Sequence, residues 1–221
     1  MTEFAGSHLT CLRGERLVFV GLSFRVAAGE ALVLTGPNAS GKSSLLRLMA
    51  LLPQPWRGGL SWDGASVTDD PDSHRARLRY VGHPDAIKPA LTAEENLGFW
   101  AVLDGNAEPG RRTRQALEGF GLGPVAAVPA RYFSAGQKRR LTLARLLLTP
   151  VPLWLLDEPT VGLDQGAIAR LGEALAGHRA AGGLVVAATH TDLPLPGAGH
   201  LRLDAFAPTA PQVSDHEGAS P

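Results

Sequence analysis

Eight consecutive residues, Gly36-Pro37-Asn38-Ala39-Ser40-Gly41-Lys42-Ser43, match the pattern G-x-x-x-x-G-K-[ST] at every fixed position. A triphosphate concentrates negative charge and needs many donors. Glycines let backbone N–H groups close on its α- and β-phosphates, and the N-terminus of a following helix adds positive partial charge. In that pattern Lys42 reaches the β- and γ-phosphates, Ser43 ligates Mg²⁺, and Ser44 is a further candidate contact beside them. A second run, Leu153-Trp154-Leu155-Leu156-Asp157-Glu158, sets four apolar residues before two carboxylates. At the C-terminal edge of a strand in an open α/β sheet, where ligands sit, Asp157 would hold Mg²⁺ through a water. Glu158 would take a proton from an attacking water or orient it. The third element, Ser134-Ala135-Gly136-Gln137, opens a helical pattern 23 residues before Asp157. It reads either as a helix capped by Ser134 or as a second anion site made of small residues at a helix N-terminus. The first loop already covers one side of a triphosphate, so the second reading calls for two copies of the chain around each nucleotide.

These residues need a strand-loop-helix frame to hold them. Val18, Val20, Leu22, Phe24 and Val26 alternate at period two, and Ala31 to Thr35 is a short apolar run ending at the Gly-rich loop. Helical spacing follows from Ser43 to Leu52, where Pro53 and Pro55 stop it. Residues 58–64 read as an edge strand and 79–82 as another short one. From Thr92, a proposed N-cap, to about Leu148 the spacing is helical, broken by Gly/Pro-rich segments at 104–110 and 121–130. Strands at 152–156, 183–189 and 200–203 and a helix at 164–178 complete the pattern. The expected fold is α/β: a P-loop NTPase core with a mostly parallel sheet, a small antiparallel β layer and a helical subdomain inserted at about 86–150. One domain is expected over 1–204, with a disordered tail at 205–221.

Composition removes whole classes of function. Among 221 residues, 44% are apolar, which is enough for a full core. Lys plus Arg (21) equals Asp plus Glu (21), so no global basic field draws the chain to nucleic acid or anionic lipid. The single cysteine, Cys11, rules out an internal disulfide and any cysteine cluster for metal, and fits a reducing compartment. No apolar stretch approaches the ~20 residues that span a bilayer. A soluble chain is expected, one that reaches a membrane only through partners.

Taken together the motifs resemble ABC-type ATPases. Ser134-Ala135-Gly136-Gln137, preceded by Phe133 and followed by Lys138-Arg139-Arg140, is similar to that family's signature, usually Leu-Ser-Gly-Gly-Gln. The resemblance implies that Ser134, Gly136 and Gln137 meet the γ-phosphate held by a facing copy, in a homodimer with two ATP molecules at its interface. It implies that Asp164, in Val161-Gly162-Leu163-Asp164, lies in the loop that touches the opposite subunit. It also implies that His190 senses the γ-phosphate and positions the attacking water. Two positions depart from the family. His83 stands where Gln commonly contacts Mg²⁺ and water; imidazole offers one acceptor nitrogen and only when neutral, so activity is expected to fall in mild acid. Cys11-Leu12-Arg13-Gly14 has no ring where an aromatic usually stacks on adenine, which leaves the Arg13 guanidinium as the candidate.

Within the family, Gly82-His83-Pro84, Ile87-Lys88, Leu91-Thr92-Ala93-Glu94-Glu95-Asn96-Leu97 and Leu9-Thr10-Cys11 with Arg13 resemble the ATP-binding subunits of cytochrome c maturation systems, often labelled haem exporters. That resemblance implies a subunit on the cytoplasmic face of the inner membrane, docked on integral membrane partners of the CcmB, CcmC and CcmD type. There ATP hydrolysis would release a haem-loaded chaperone. The chain carries no Cys/His haem motif of its own. Rival readings are the motor of an unrelated transporter, a non-transport ABC ATPase acting on nucleic acid or ribosomes, and a nucleotide-binding regulator without turnover.

Overall fold

The computed structural model describes residues 2–208. Period-two alternation builds two sheets. In the antiparallel one, β1 (Glu3–Arg13) and β2 (Arg16–Ala27) form a long hairpin. β4 (Arg57–Trp62) pairs with β1, and the two-residue β5 (Ala65–Ser66) completes the order β2-β1-β4-β5. The segment expected at an edge, 58–64, is therefore mostly an inner strand with only β5 outside it. β1 itself was not foreseen, so Arg13 ends a strand at the β1–β2 turn rather than preceding the first strand.

The second sheet has the order β6-β7-β8-β3-β9, with β3 (Ala31–Thr35), β6 (Leu78–Val81), β7 (Leu153–Asp157), β8 (Leu184–Ala188) and β9 (Gly199–Arg202). Every pairing in it is parallel. Both faces are covered, as parallel sheets require. Leu32, Leu34, Leu153, Leu155, Leu184, Val186 and Ala188 point into a core shared with the antiparallel sheet and α1 (Lys42–Met49). Their neighbours Val33, Trp154, Leu156, Val185 and Ala187 point the other way, into a core shared with the helices. Those helices are α3 (Ala93–Leu103), α4 (Pro109–Gly119), α5 (Ala135–Ala144) and α6 (Gln165–Ala180); the short α2 (Pro71–Ala76) leads into β6.

Local chemistry fixes where helices begin. Thr92 and Glu95 form a reciprocal capping box on α3: the Thr92 Oγ1 accepts the Glu95 N–H at 3.1 Å and the Glu95 Oε2 accepts the Thr92 N–H at 2.7 Å. Asp164 caps α6, its Oδ1 accepting the Ala167 N–H at 2.7 Å. The helical part is tied to the sheet by Arg79, whose guanidinium donates to both oxygens of Asp104 at 3.0 and 2.6 Å. Of the tail expected from 205, Ala205 and Phe206 close a 3₁₀ turn (Leu203–Phe206) in which Phe206 packs on the core. Residues 209–221 lie outside the described residues. Among the described residues no helix is long and apolar enough to cross a membrane.

Candidate active site

The alternation that packs the sheet also aims the carboxylates. Leu153 and Leu155 face α1, so Asp157, next in phase, faces α1 as well. Ser43, in the first turn of α1, donates its hydroxyl to Asp157 Oδ1 at 2.9 Å. Asp157 is 2% exposed, and its Oδ2 is buried without a partner. An orphaned carboxylate oxygen beside a serine hydroxyl is a hard-oxygen pair that fits Mg²⁺. Among the described residues no group of three or more His, Cys, Asp or Glu could hold a metal.

Glu158 leaves the strand. Its φ of 48° lies in the left-handed region, uncommon for a residue other than glycine, and its N–H donates to the Ala188 carbonyl at 2.8 Å. Because Asp157 pairs with Ala188 in register, the chain after β8 brings His190 to the same edge. The His190 N–H donates to Glu158 Oε2 at 3.3 Å, and His190 Nε2 lies 3.4 Å from Glu158 Oε1. The two residues thus face each other across a sheet edge.

The loop between β3 and α1 is shaped by its glycines. Gly41 has φ 102°, and a Cβ there would stand 2.6 Å from Val18 Cγ1, inside contact distance. The loop therefore packs closely on β2 at Gly41. Lys42 is 6% exposed, and its Nζ donates to the Gly36 and Pro37 carbonyls at 2.7 and 3.1 Å. Burial pulls the Lys42 ammonium below the usual lysine pKa, while Glu158 and then Asp157 draw it back up. A ligand with phosphate oxygens in the loop would relieve that desolvated charge.

A cleft of about 1020 Å³ opens over this loop. It brings together Arg13, the loop residues Pro37, Asn38, Ala39, Ser40, Gly41, Lys42, Ser43 and Ser44, then His83, Glu158 and His190. Gly36 and Asp157 stand behind that lining. The far end is walled by the β1–β2 turn, with Arg16, Leu17 and Val18, and by Asp204, Ala207 and Pro208 of the C-terminal segment. Sequence reasoning passed over these, because neither wall carries a ring or a motif.

Ser134, Gly136, Gln137 and Asp164 do not line this cleft. Ser134 Oγ accepts the Gln137 N–H at 3.2 Å and Gln137 Oε1 accepts the Ser134 N–H at 2.9 Å, a capping box that leaves Ser134 and Ala135 exposed and Gly136 and Gln137 half-buried at the start of α5. A Cβ on Gly136 would come within 2.9 Å of the Gly162 carbonyl, so the turn rests on the loop that follows Glu158. Residues of the signature and residues of the cleft are thus presented separately by one copy. Arg139, one of three basic residues after the signature, is buried at 5% exposure rather than solvated.

A family model described as ABC transporter matches residues 9–161. The chain is 58% identical over 205 residues to the cytochrome c biogenesis ATP-binding export protein CcmA of Rhodospirillum rubrum, covering 93% of this chain and 87% of that one. It is 55% identical to the protein of the same name from Paramagnetospirillum magneticum, covering 93% and 96%. A solved ATP-binding subunit of an ABC transporter superposes with a TM-score of 0.76 at 30% identity, over 85% of this chain and 79% of that one. A putative ABC transporter ATP-binding protein from Pyrococcus furiosus shares the fold, with a TM-score of 0.80 at 19% identity, over 93% of this chain and 100% of that one.

Proposed function

The chain belongs to the ABC transporter family, in the branch of cytochrome c biogenesis ATP-binding export proteins, and from that premise we propose a mechanism for its ATPase. ATP binds in the cleft with its phosphates over the 36–43 loop, and Lys42 neutralises the β- and γ-phosphates. Ser43 and Asp157 would hold Mg²⁺, which when bound offsets phosphate charge and fixes the triphosphate for in-line attack. Glu158 takes a proton from the attacking water, and His190 holds that carboxylate and the γ-phosphate in one geometry. The observation that carries this reading is the meeting of Ser43, Asp157, Glu158 and His190 at one sheet edge beside the phosphate loop.

The partly exposed signature turn supports a two-copy arrangement. Ser134, Gly136 and Gln137 of one copy would cover the γ-phosphate seated on Lys42 of the other, with Asp164 in the neighbouring loop. ATP then favours the closed pair because only that state supplies both sets of donors, and hydrolysis removes the phosphate that bridges them. Exposed Phe99, Val102 and Leu103 on α3 offer an apolar face on which an integral membrane partner of the CcmB, CcmC or CcmD type would dock. The subunit would then work on the cytoplasmic face of the membrane, in haem export or in release of a haem-loaded chaperone. Purification from detergent-solubilised membranes tests this: integral membrane proteins of a cytochrome c biogenesis system should accompany the chain. Recovery with membrane subunits of a different transporter, or with nucleic acid, would sink it.

His83 lines the cleft from the loop after β6, in the same lining as Glu158. It is proposed to contact Mg²⁺-bound water in place of the family's usual Gln. His83→Gln should keep turnover near wild type, whereas His83→Ala should lower it about 100-fold, the low end for losing a group that handles the attacking water. Steady-state ATPase rates of the two variants check this, and an unimpaired Ala variant would remove His83 from the mechanism.

A further inference from the structure

The Lys138-Arg139-Arg140 run reads as solvated charge, yet Arg139 points inward and bridges the 157–159 turn to the segment after β6. Its Nη2 donates to the carbonyls of Asp157 and Glu158, both at 2.8 Å, and its Nε donates to the carbonyl of Pro159 at 3.4 Å. Its Nη1 donates to the Gly82 carbonyl at 3.0 Å and lies 3.4 Å from Asp85 Oδ1. Three consecutive carbonyls around Glu158 are thus gathered on one planar fork, at the place where the backbone takes its left-handed turn. The other side of the same fork holds the segment that carries His83. Asp85 is fixed in turn by the Thr142 hydroxyl at 3.0 Å, one turn further along α5.

We propose that Arg139 is a positioning residue for the catalytic carboxylate: it locks the 157–159 backbone in the conformation that aims Glu158 at the nucleotide and sets its distance from the His83 loop. This rests on the reading of Glu158 as the proton acceptor. With the carbonyls at 157–159 turned onto the guanidinium, the Glu158 backbone is fixed and its side chain extends into the cleft beside His190. Among the described residues no other side chain donates to those three carbonyls. Only arginine has five N–H groups in a rigid fork; lysine brings three donors on one atom, and glutamine two. Lys42 is seated on the Gly36 and Pro37 carbonyls without Arg139, and Asp157 is held independently by its pairing in β7 and by Ser43, so nucleotide affinity should depend on Arg139 far less than the aim of Glu158 does.

The test uses the purified complex and measures kcat, KM and the nucleotide Kd separately. Arg139→Gln should lower kcat about 100-fold, the cost of a misplacement of roughly an ångström, while Kd stays within about twofold. Placed on Glu158→Gln, it should cause no further loss, because the group it positions is already gone. An unchanged kcat, a parallel loss of Kd, or an additional loss on top of Glu158→Gln would each overturn the proposal. If the Gln variant fails to assemble, Arg139→Lys keeps the charge near Asp85 and should lose about tenfold in kcat alone; a wild-type rate there overturns the proposal equally. Should Glu158→Gln itself turn over normally, the assignment of Glu158 fails first and Arg139 falls with it. A dead Glu158→Gln beside a fully active Arg139→Gln refutes only the positioning role.

Discussion

Glu158→Gln is expected to cut ATP hydrolysis by about 10²- to 10⁴-fold, the usual yield of a general base, while ATP remains bound. The amide keeps the volume of the side chain and an oxygen to accept the His190 N–H, now at 3.3 Å from Oε2. It has no basic carboxylate to take the proton. The left-handed backbone at 158 is untouched, since its carbonyl and N–H are held by Arg139 and Ala188. ATP therefore stays in the cleft with both sets of donors engaged, and the closed two-copy state should accumulate. Phosphate release and light scattering in the presence of ATP measure the two effects together. Hydrolysis at the full rate in purified complex would make another residue the base.

Lys42→Met should weaken ATP binding about 100-fold, the effect of removing roughly 3 kcal/mol of charge-assisted bonding to phosphate. The apo protein should respond differently. Its Lys42 is a buried ammonium that donates to two loop carbonyls, and burial lowers its pKa below the unfolded value. A lysine so shifted opposes folding while charged, and that opposition fades as pH rises through its folded pKa. The Met variant should therefore keep a near-normal apo melting temperature and lose most of the rise that ATP gives the wild type. Calorimetric titration and thermal melts with and without ATP check both halves; an unchanged Kd would take Lys42 out of the phosphate seat.

Much of this site was legible because its signals are local. The strand-loop-helix around 36–43 is carried by glycine spacing, and Thr92 and Ser134 announce their helices through a partner three residues on. What stayed hidden depends on tertiary context. β1 escaped notice because its register shifts between Gly6 and Leu9, and again before Cys11, break the alternation, with His8 at φ 51°. α2 has six residues, too few for a helical period to show. Arg139 looked like one charge among three; helix phase held the clue, since it shares a face with Leu143 and Leu146, both buried. The wall at Asp204 to Pro208 had no signal, because its residues gain a role only by standing across from the β1–β2 turn.

Alternation in the parallel sheet has a consequence for which changes in chain length the gene tolerates. Leu153, Leu155 and Asp157 share one face while Trp154 and Leu156 share the other. Removing a single codon from this strand would invert every side chain upstream of the cut relative to the carboxylates. Either Asp157 turns away from Ser43 or the leucines exchange cores; no compromise register satisfies both. The segments at 104–108 and 121–130, which lie between helices, impose no such parity. Inherited insertions and deletions should therefore collect in the helical half, where length can drift, while the five short strands keep their residue count and accept change by substitution alone.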